Sequence, residues 1–560
     1  MTTPMQRITS LPRFEREGAA SVEKWMARFA RPGGEWTFYP HQAAAFDALA
    51  EMQGGFYPWS VGAGKSMAAF FMGAAAGFPD DRVLILTTAS IKKEMTKLRA
   101  QIGQHFYVPN VRVESYERIS GKNGRAILHD FAPSFLVLDE AHCLANGTAA
   151  RTARVMAYLK EIFSDAEPGQ ATRVVAMSGS FLKKSVKDYA HLAQWSLGAH
   201  GSFCPLANEY STLESWARVL DDFSQSGPPT GIDWLTVGYL ARWYDPTVDK
   251  RRYGKDVARQ AFEARMRTCP GVVVYSESSC DARLHIEVDQ APIPSVTAAR
   301  ADIDATWELP NGVEIADPLR LNAKLREVSQ GGYYYATHDG EIGMDEDARE
   351  WDYKRRWALT EVAKLAKKKP NGWDTPGLIK AALTRGDLRC AAWDAWLAVA
   401  GTVDADKEYA HITDDVAMRA VEHARALHTR TGAPVLVWYW HRFMADSLER
   451  AGARVWRAGQ HPSQGDNPII GLSIASHGTG LNLQWAGAAV VCCPPANGAI
   501  WEQFLGRVHR GGQTRSDIYV VVMAHTPELK NAFDTARKDA QYYHTAFGAE
   551  TKLTAAEIKP

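Results

Sequence analysis

Apolar residues in this chain come in short, dense runs separated by stretches of helical periodicity. Val83 to Leu86, Phe135 to Leu138 and Val174 to Met177 are such runs, rich in β-branched residues, between about residues 36 and 200. A strand with no polar alternation is buried on both faces, the condition of a parallel sheet covered by helices. The same rhythm returns in Val435 to Tyr439, Ile469 to Ile474, Ala488 to Cys492 and Ile518 to Met523. The pattern predicts an α/β fold with two parallel-sheet lobes. Residues 201–425 differ: strand alternation is scarce, Asp, Pro and Gly breaks are frequent, and ten of the 18 tryptophans fall there if Trp195 is included. A mostly helical insertion is expected, with an N-terminal lobe over 1–200, the insertion over 201–425 and a C-terminal lobe over 426–560. No fixed-period repeat interrupts this plan, and the one biased tract is the basic run Lys367-Lys368-Lys369.

A length of 560 residues exceeds what one hydrophobic core sustains, in keeping with several lobes. With 46% hydrophobic and 23% charged residues the composition is that of a globular protein, which excludes wholesale disorder. Lysine and arginine total 64 and aspartate and glutamate total 64, so any polyanion site has to be a local patch. No run approaches the roughly 18 apolar residues of a membrane span and the first residues carry no apolar leader, so a chain neither secreted nor membrane-spanning is expected. The seven cysteines form no Cys-x-x-Cys pair and are read as reduced thiols of a cytoplasmic protein.

Two motifs carry chemistry. Ser60-Val61-Gly62-Ala63-Gly64-Lys65-Ser66 precedes a helix candidate and has the makings of a phosphate-binding loop. Its glycines let backbone N–H groups (Gly62, Ala63, Gly64) wrap a phosphate, Lys65 supplies a point charge, and Ser66 offers a hydroxyl to Mg²⁺. The strict pattern has one more glycine, where this chain has Trp59. The run Phe135 to Leu138 then ends in Asp139-Glu140-Ala141-His142, 74 residues after Lys65. Acids at the carboxyl end of a parallel strand sit where ligands of such sheets bind. There Asp139 can anchor a divalent cation and Glu140 can orient and deprotonate a water.

Together these residues resemble the superfamily two helicases, and within them the Snf-type branch of double-stranded DNA translocases. Phe38-Tyr39-Pro40-His41-Gln42 is similar to that family's adenine-reading motif, with Gln42 as the base contact. Thr87-Thr88-Ala89-Ser90 and Val113-Glu114-Ser115-Tyr116-Glu117 resemble motifs that touch a nucleic-acid backbone, implicating Ser90, Lys92, Ser115 and Tyr116. Ser178-Gly179-Ser180 resembles the element that couples hydrolysis to strand contact, in which His142 also takes part. Ser476 to Gln484 is similar to motif five, implying roles for Ser476, Gly480 and Asn482. Gln503-Phe504-Leu505-Gly506-Arg507-Val508-His509-Arg510-Gly511-Gly512-Gln513 is similar to motif six, with Gln503 at the nucleotide. Leu325-Arg326 matches a short element that this branch carries before its second lobe. Trp59-Ser60 stands where the branch has Asp-Glu.

The resemblance implies two RecA-like lobes, ATP and Mg²⁺ as cofactors, and a bacterial or phage-type stand-alone motor. Arg507 and Arg510, at i and i+3, would face one way on a helix and act as arginine fingers, each worth about 10³ to 10⁵ in rate. DNA is the expected partner, double-stranded ahead of single-stranded, and the 201–425 region offers a surface for a protein partner. A strand-separating DNA or RNA helicase and an ATP-locked, non-hydrolysing scaffold are the alternatives. In the insertion, Tyr333-Tyr334-Tyr335, Trp351, Trp357, Lys354-Arg355-Arg356, Trp393 and Trp396 suit either bases and phosphates or a helical core, and Lys250-Arg251-Arg252 suits a solvated face.

Overall fold

The computed structural model describes residues 11–559 except 13, 15–20, 122, 148, 168–169, 171–172, 180, 182–184, 207–209, 222–254, 276–279, 314, 316–317, 339–340, 343–345, 371–372, 374–375, 401–404, 461, 464, 466, 479–480 and 549. The chain folds as two compact units, Met1–Ser279 with Arg537–Ala555, and Cys280–Ala536 with Ala556–Pro560. Each is an α/β lobe of the RecA-like kind built on its own parallel sheet.

In the first unit helix α1 (Pro40–Met52) leads to β1 (Gly55–Pro58), and α2 (Lys65–Ala75) to β2 (Val83–Thr87). Helix α3 (Ala89–His105), β3 (Arg112–Ser115), α4 (Tyr116–Ser120), β4 (Phe135–Leu138) and β5 (Val174–Ser178) follow. The strands are parallel in the order β1-β5-β4-β2-β3. Their apolar runs serve two faces. Leu84, Leu86, Leu136 and Leu138 enter one core cluster, while Val83, Ile85, Phe135 and Val137 enter the other. All are at most 1% exposed, so each contributes about 1.5 to 3 kcal/mol of apolar burial. The segment from Gly271 to Tyr275 covers the outer edge of β1 through parallel bridges Phe56 to Val272 and Trp59 to Tyr275.

In the second unit β6 (Arg283–Asp289) is followed by β7 (Gly332–His338), β8 (Glu341–Ile342), the helices α5 (Glu346–Lys368), α6 (Pro376–Arg385) and α7 (Ala391–Leu397), and β9 (Ala405–His411). Then come β10 (Val435–Tyr439), β11 (Arg454–Trp456), β12 (Ile469–Ser473), β13 (Ala488–Val491), α8 (Gly498–Leu505), β14 (Asp517–Met523) and β15 (Glu557–Lys559). Seven of these strands make a parallel sheet in the order β11-β12-β10-β13-β14-β6-β15, and β8-β7-β9 make a small antiparallel sheet. Trp438 of β10 meets Phe504 of α8 with ring centroids 5.5 Å apart, which fixes that helix on the sheet.

Every strand expected from an apolar run is present and parallel. The 201–425 stretch is mostly helical among its described residues, but it also supplies β6, which joins the second lobe's sheet along its full length beside β14. In sequence β6 reads Arg-Leu-His-Ile-Glu-Val-Asp, an alternating pattern rather than an apolar run. Trp393 is buried in a helical core with Ala358, Val362 and Ile379, and Trp396 packs against it. Lys250-Arg251-Arg252 lies outside the described residues. No helix of the described residues is long and apolar enough to cross a membrane.

Candidate functional site

The carboxyl ends of all five strands of the first sheet carry the residues singled out by sequence. The phosphate-loop candidate follows β1, Thr88 to Lys92 follow β2, Ser115 ends β3 with Tyr116 next, Asp139-Glu140 follow β4, and Gly179 follows β5. Five separate stretches thus converge on one edge, the edge at which open parallel sheets bind ligands.

The loop needs glycine where the backbone turns left-handed, at Gly62 (φ 93°) and Gly64 (φ 73°). Lys65 and Ser66 open α2, whose first-turn N–H groups have no partner within the helix. Lys65 is 7% exposed, and its Nζ donates to the carbonyls of Trp59 and Ser60 at 3.0 Å each. One of its three N–H bonds is left for an anion. Helix α1 braces the loop from outside: His41 Nε2 meets the Ala63 carbonyl at 2.8 Å, and Gln42 Nε2 donates to the Gly64 carbonyl at 3.2 Å. Gln42 Oε1 accepts from the Tyr39 N–H at 2.8 Å and the residue is fully buried. Gln42 thus ties the start of α1 to the loop, with one amide N–H on the Gly64 carbonyl and its oxygen on the Tyr39 N–H. Tyr39, 51% exposed beside the loop, is the aromatic of this segment that a base can reach.

Asp139 is fully buried. Its Oδ2 accepts from Thr87 Oγ1 at 3.0 Å, while Oδ1 accepts no hydrogen bond among the described residues. Burial and the neighbouring Glu140 raise its pKa to about 7, against the pull of Lys65 and Thr87. Glu140 takes a left-handed conformation (φ 49°), uncommon for a non-glycine residue, as the chain turns out of β4. His142 Nδ1 stands 2.9 Å from Ser178 Oγ and 3.3 Å from Glu140 Oε2. Burial opposes a charge on His142, but hydrogen bonding to Cys143 and Glu140 outweighs it and raises its pKa to about 10. An imidazolium here donates toward both the acid after β4 and the hydroxyl ending β5. Gly179 presses on the loop: a Cβ there would lie 3.1 Å from the Trp59 carbonyl and 3.5 Å from Lys65 Nζ.

Two residues expected at a nucleic-acid backbone also make bonds within the unit. Tyr116 is fully buried and donates its hydroxyl to the Asp139 carbonyl at 2.8 Å, bracing the acids from below. Ser115 is 3% exposed and caps α4 by accepting from the Arg118 N–H. Ser90 bonds Thr88 at 3.1 Å, and Lys92 pairs with buried Glu114 at 2.6 Å. An open groove of about 710 Å³ beside them is lined by Lys92, Lys93, Ser115, Glu117, Arg118 and Asn123, among others.

In the second unit Arg507 and Arg510 do not share a helix face, because α8 ends at Leu505 and both fall in the turns beyond Gly506. Their fates differ. Arg507 donates to the carbonyls of Gly478 (3.2 Å), Gln503 (3.0 Å) and Leu481 (3.4 Å), and so clasps the motif-five loop. Gln513 does the same through the carbonyls of Gln484, Ala486 and Val508. Arg510 makes no hydrogen bond or ion pair among the described residues, and burial lowers its pKa. Ser476 and Asn482 are exposed, and Gln503 is half-buried with its carbonyl held by Arg507. Ser180 and Gly480 lie outside the described residues.

Sequence reading missed the edge segment, and it quoted Thr87 in a motif without its bond to Asp139. Trp59, in place of the expected acid, is buried and donates Nε1 to the Val273 carbonyl at 3.0 Å. Tyr275 stacks on His41 at 3.6 Å between centroids, closing a chain of contacts to the loop. Nothing local marks a partner more than 200 residues away, whereas a threonine ending an apolar strand is a legible signal for Thr87. No protein-family model matches this chain, and no curated protein matches it either.

Proposed function

We propose that the protein is a nucleic-acid-dependent ATPase motor, of the superfamily two kind and nearest the Snf-type double-stranded DNA translocases. The observation that carries the reading is the buried Asp139, with an unpartnered Oδ1, next to the left-handed Glu140 and bonded through His142 to the end of β5. A structural acid would be paired. The donor set fits a hard divalent cation, with Asp139 Oδ1 and the Ser66 hydroxyl as its protein oxygens. Such an ion, when bound, neutralises charge on the β and γ phosphates.

The chain's own residues supply the rest. The first turn of α2 and Lys65 cradle the phosphates, and Glu140 orients the attacking water and takes its proton. The His142 to Ser178 bond ties the position of Glu140 to β5, and Gly179 carries that position to the loop. Arg510, without a hydrogen bond or ion pair among the described residues, is the motif-six arginine with its guanidinium available to a phosphate; Arg507 holds its own loop.

The test is steady-state ATP hydrolysis by wild type and Glu140→Gln, alone and with single-stranded DNA, double-stranded DNA or RNA, at two salt concentrations. Preferential stimulation by double-stranded DNA, with turnover lowered about 10² to 10⁴-fold by Glu140→Gln, is expected. Normal hydrolysis by Glu140→Gln would remove Glu140 as the base. No stimulation by any nucleic acid would sink the motor.

A further inference from the structure

Helix α5 presents a surface that the motor reading leaves unused. It buries Ala358, Val362 and Ala366 against Ile379, Leu383 and Trp393. At 3.6 residues per turn, Tyr353, Trp357, Thr360 and Lys364 then form one ridge on the side away from that core. Exposure agrees: Tyr353 is 69% exposed, the highest of the large hydrophobics among the described residues, and Trp357 is 41% exposed. Neither ring serves the core. Lys367 and Lys368 continue the ridge, exposed and without an acidic partner among the described residues. Arg356 is paired with Asp352, and Lys364 with Glu361 at 2.7 Å. From Glu346, where α5 begins, to Arg389 eleven basic residues stand against seven acidic ones, a surplus of four in a chain whose net charge is zero, and four of the seven acids lie in the first two turns of α5.

We propose that this ridge holds an unpaired nucleic-acid strand, with bases stacking on Tyr353 and Trp357 and phosphates meeting Lys364, Lys367 and Lys368. The charge selects a polyanion. The two outward rings favour a single strand over a duplex, since only unstacked bases offer their faces to aromatic side chains. The ridge goes beyond the motor reading and does not depend on nucleotide hydrolysis.

The test uses the full chain without nucleotide and the anisotropy of a fluorescein-labelled thymidine oligonucleotide, with a labelled duplex as comparison. The double change Tyr353→Ala with Trp357→Ala weakens oligonucleotide binding about tenfold or more and leaves duplex binding unchanged. Lys367→Glu with Lys368→Glu lowers the salt dependence of oligonucleotide affinity by about two phosphate contacts. All four side chains are exposed, so the thermal midpoint and the hydrolysis rate without nucleic acid stay at wild-type values. Failure of the wild type to bind the oligonucleotide, or wild-type affinity in the aromatic variant, overturns the proposal. Equal loss of duplex and oligonucleotide overturns the single-strand assignment. Lys65→Ala separates the two readings, because it abolishes hydrolysis without touching the ridge.

Discussion

Replacing Asp139 with asparagine should abolish hydrolysis and at the same time stabilise the nucleotide-free protein, by an amount that grows as pH rises from about 4 to about 7. Asparagine keeps an oxygen for the Thr87 hydroxyl, and its amide nitrogen occupies the position of an Oδ1 that already lacks a partner. The hydrogen bond from Thr87 need not be lost. What disappears is the cost of ionising a fully buried carboxyl whose pKa is raised from 3.8 to about 7 by burial and by Glu140. At about 1.4 kcal/mol per pH unit that span is a penalty on the order of 4 kcal/mol. If relaxation absorbs half, about 2 kcal/mol remains, or roughly 4 °C in the midpoint of a unit this size. The sign follows from linkage. Between pH 3.8 and about 7 the folded protein holds a proton on Asp139 that the unfolded chain has released, so wild-type stability falls as pH rises through that window. The variant lacks this fall. Thermal unfolding without nucleotide at pH 4 and pH 8 reads the difference: near-coincident midpoints at pH 4, where little of the window has been crossed, and the variant higher at pH 8. A variant less stable at pH 8, or a gain of equal size at both pH values, would refute the reasoning.

Gly179→Ala places a Cβ 3.1 Å from the Trp59 carbonyl and 3.5 Å from Lys65 Nζ, so the loop has to yield by a few tenths of an ångström. Expected are a stability loss of about 1 to 2 kcal/mol and weaker ATP binding, read by denaturant titration and nucleotide titration. Arg507→Met and Arg510→Met should both depress hydrolysis, yet only the first should destabilise. Arg507→Met strips donors from three carbonyls and costs about 1 to 3 kcal/mol in urea unfolding, whereas Arg510→Met stays within about 0.5 kcal/mol of wild type. Equal destabilisation by the two would remove the distinction between clasp and finger.

The central strands were legible because residues buried on two faces have no polar positions to confuse the pattern, as in Val83 to Leu86 and Val435 to Tyr439. Strand β6 was not, since its alternation of Leu284, Ile286 and Val288 with charged residues matches a half-buried strand of any sheet. The edge segment at Gly271 to Tyr275 is fixed by pairing across more than 200 residues, which no local pattern records. The end of α8 was legible in hindsight: Gly506 stands where the helix stops, and a helical reading of Arg507 and Arg510 had to pass through it. The site motifs were found as motifs, but type and spacing do not tell which way a side chain turns. Gln42, Tyr116, Arg507 and Gln513 use polar atoms on their own unit's backbone, which fixes where each side chain points. Asp139 Oδ1, the third N–H of Lys65 and the guanidinium of Arg510 have capacity left over. A group that surrenders nothing on binding pays no exchange cost, so its full interaction is available to the transition state. The functional assignment follows that remaining capacity, and residues within a single motif part company on it, as Arg507 and Arg510 do.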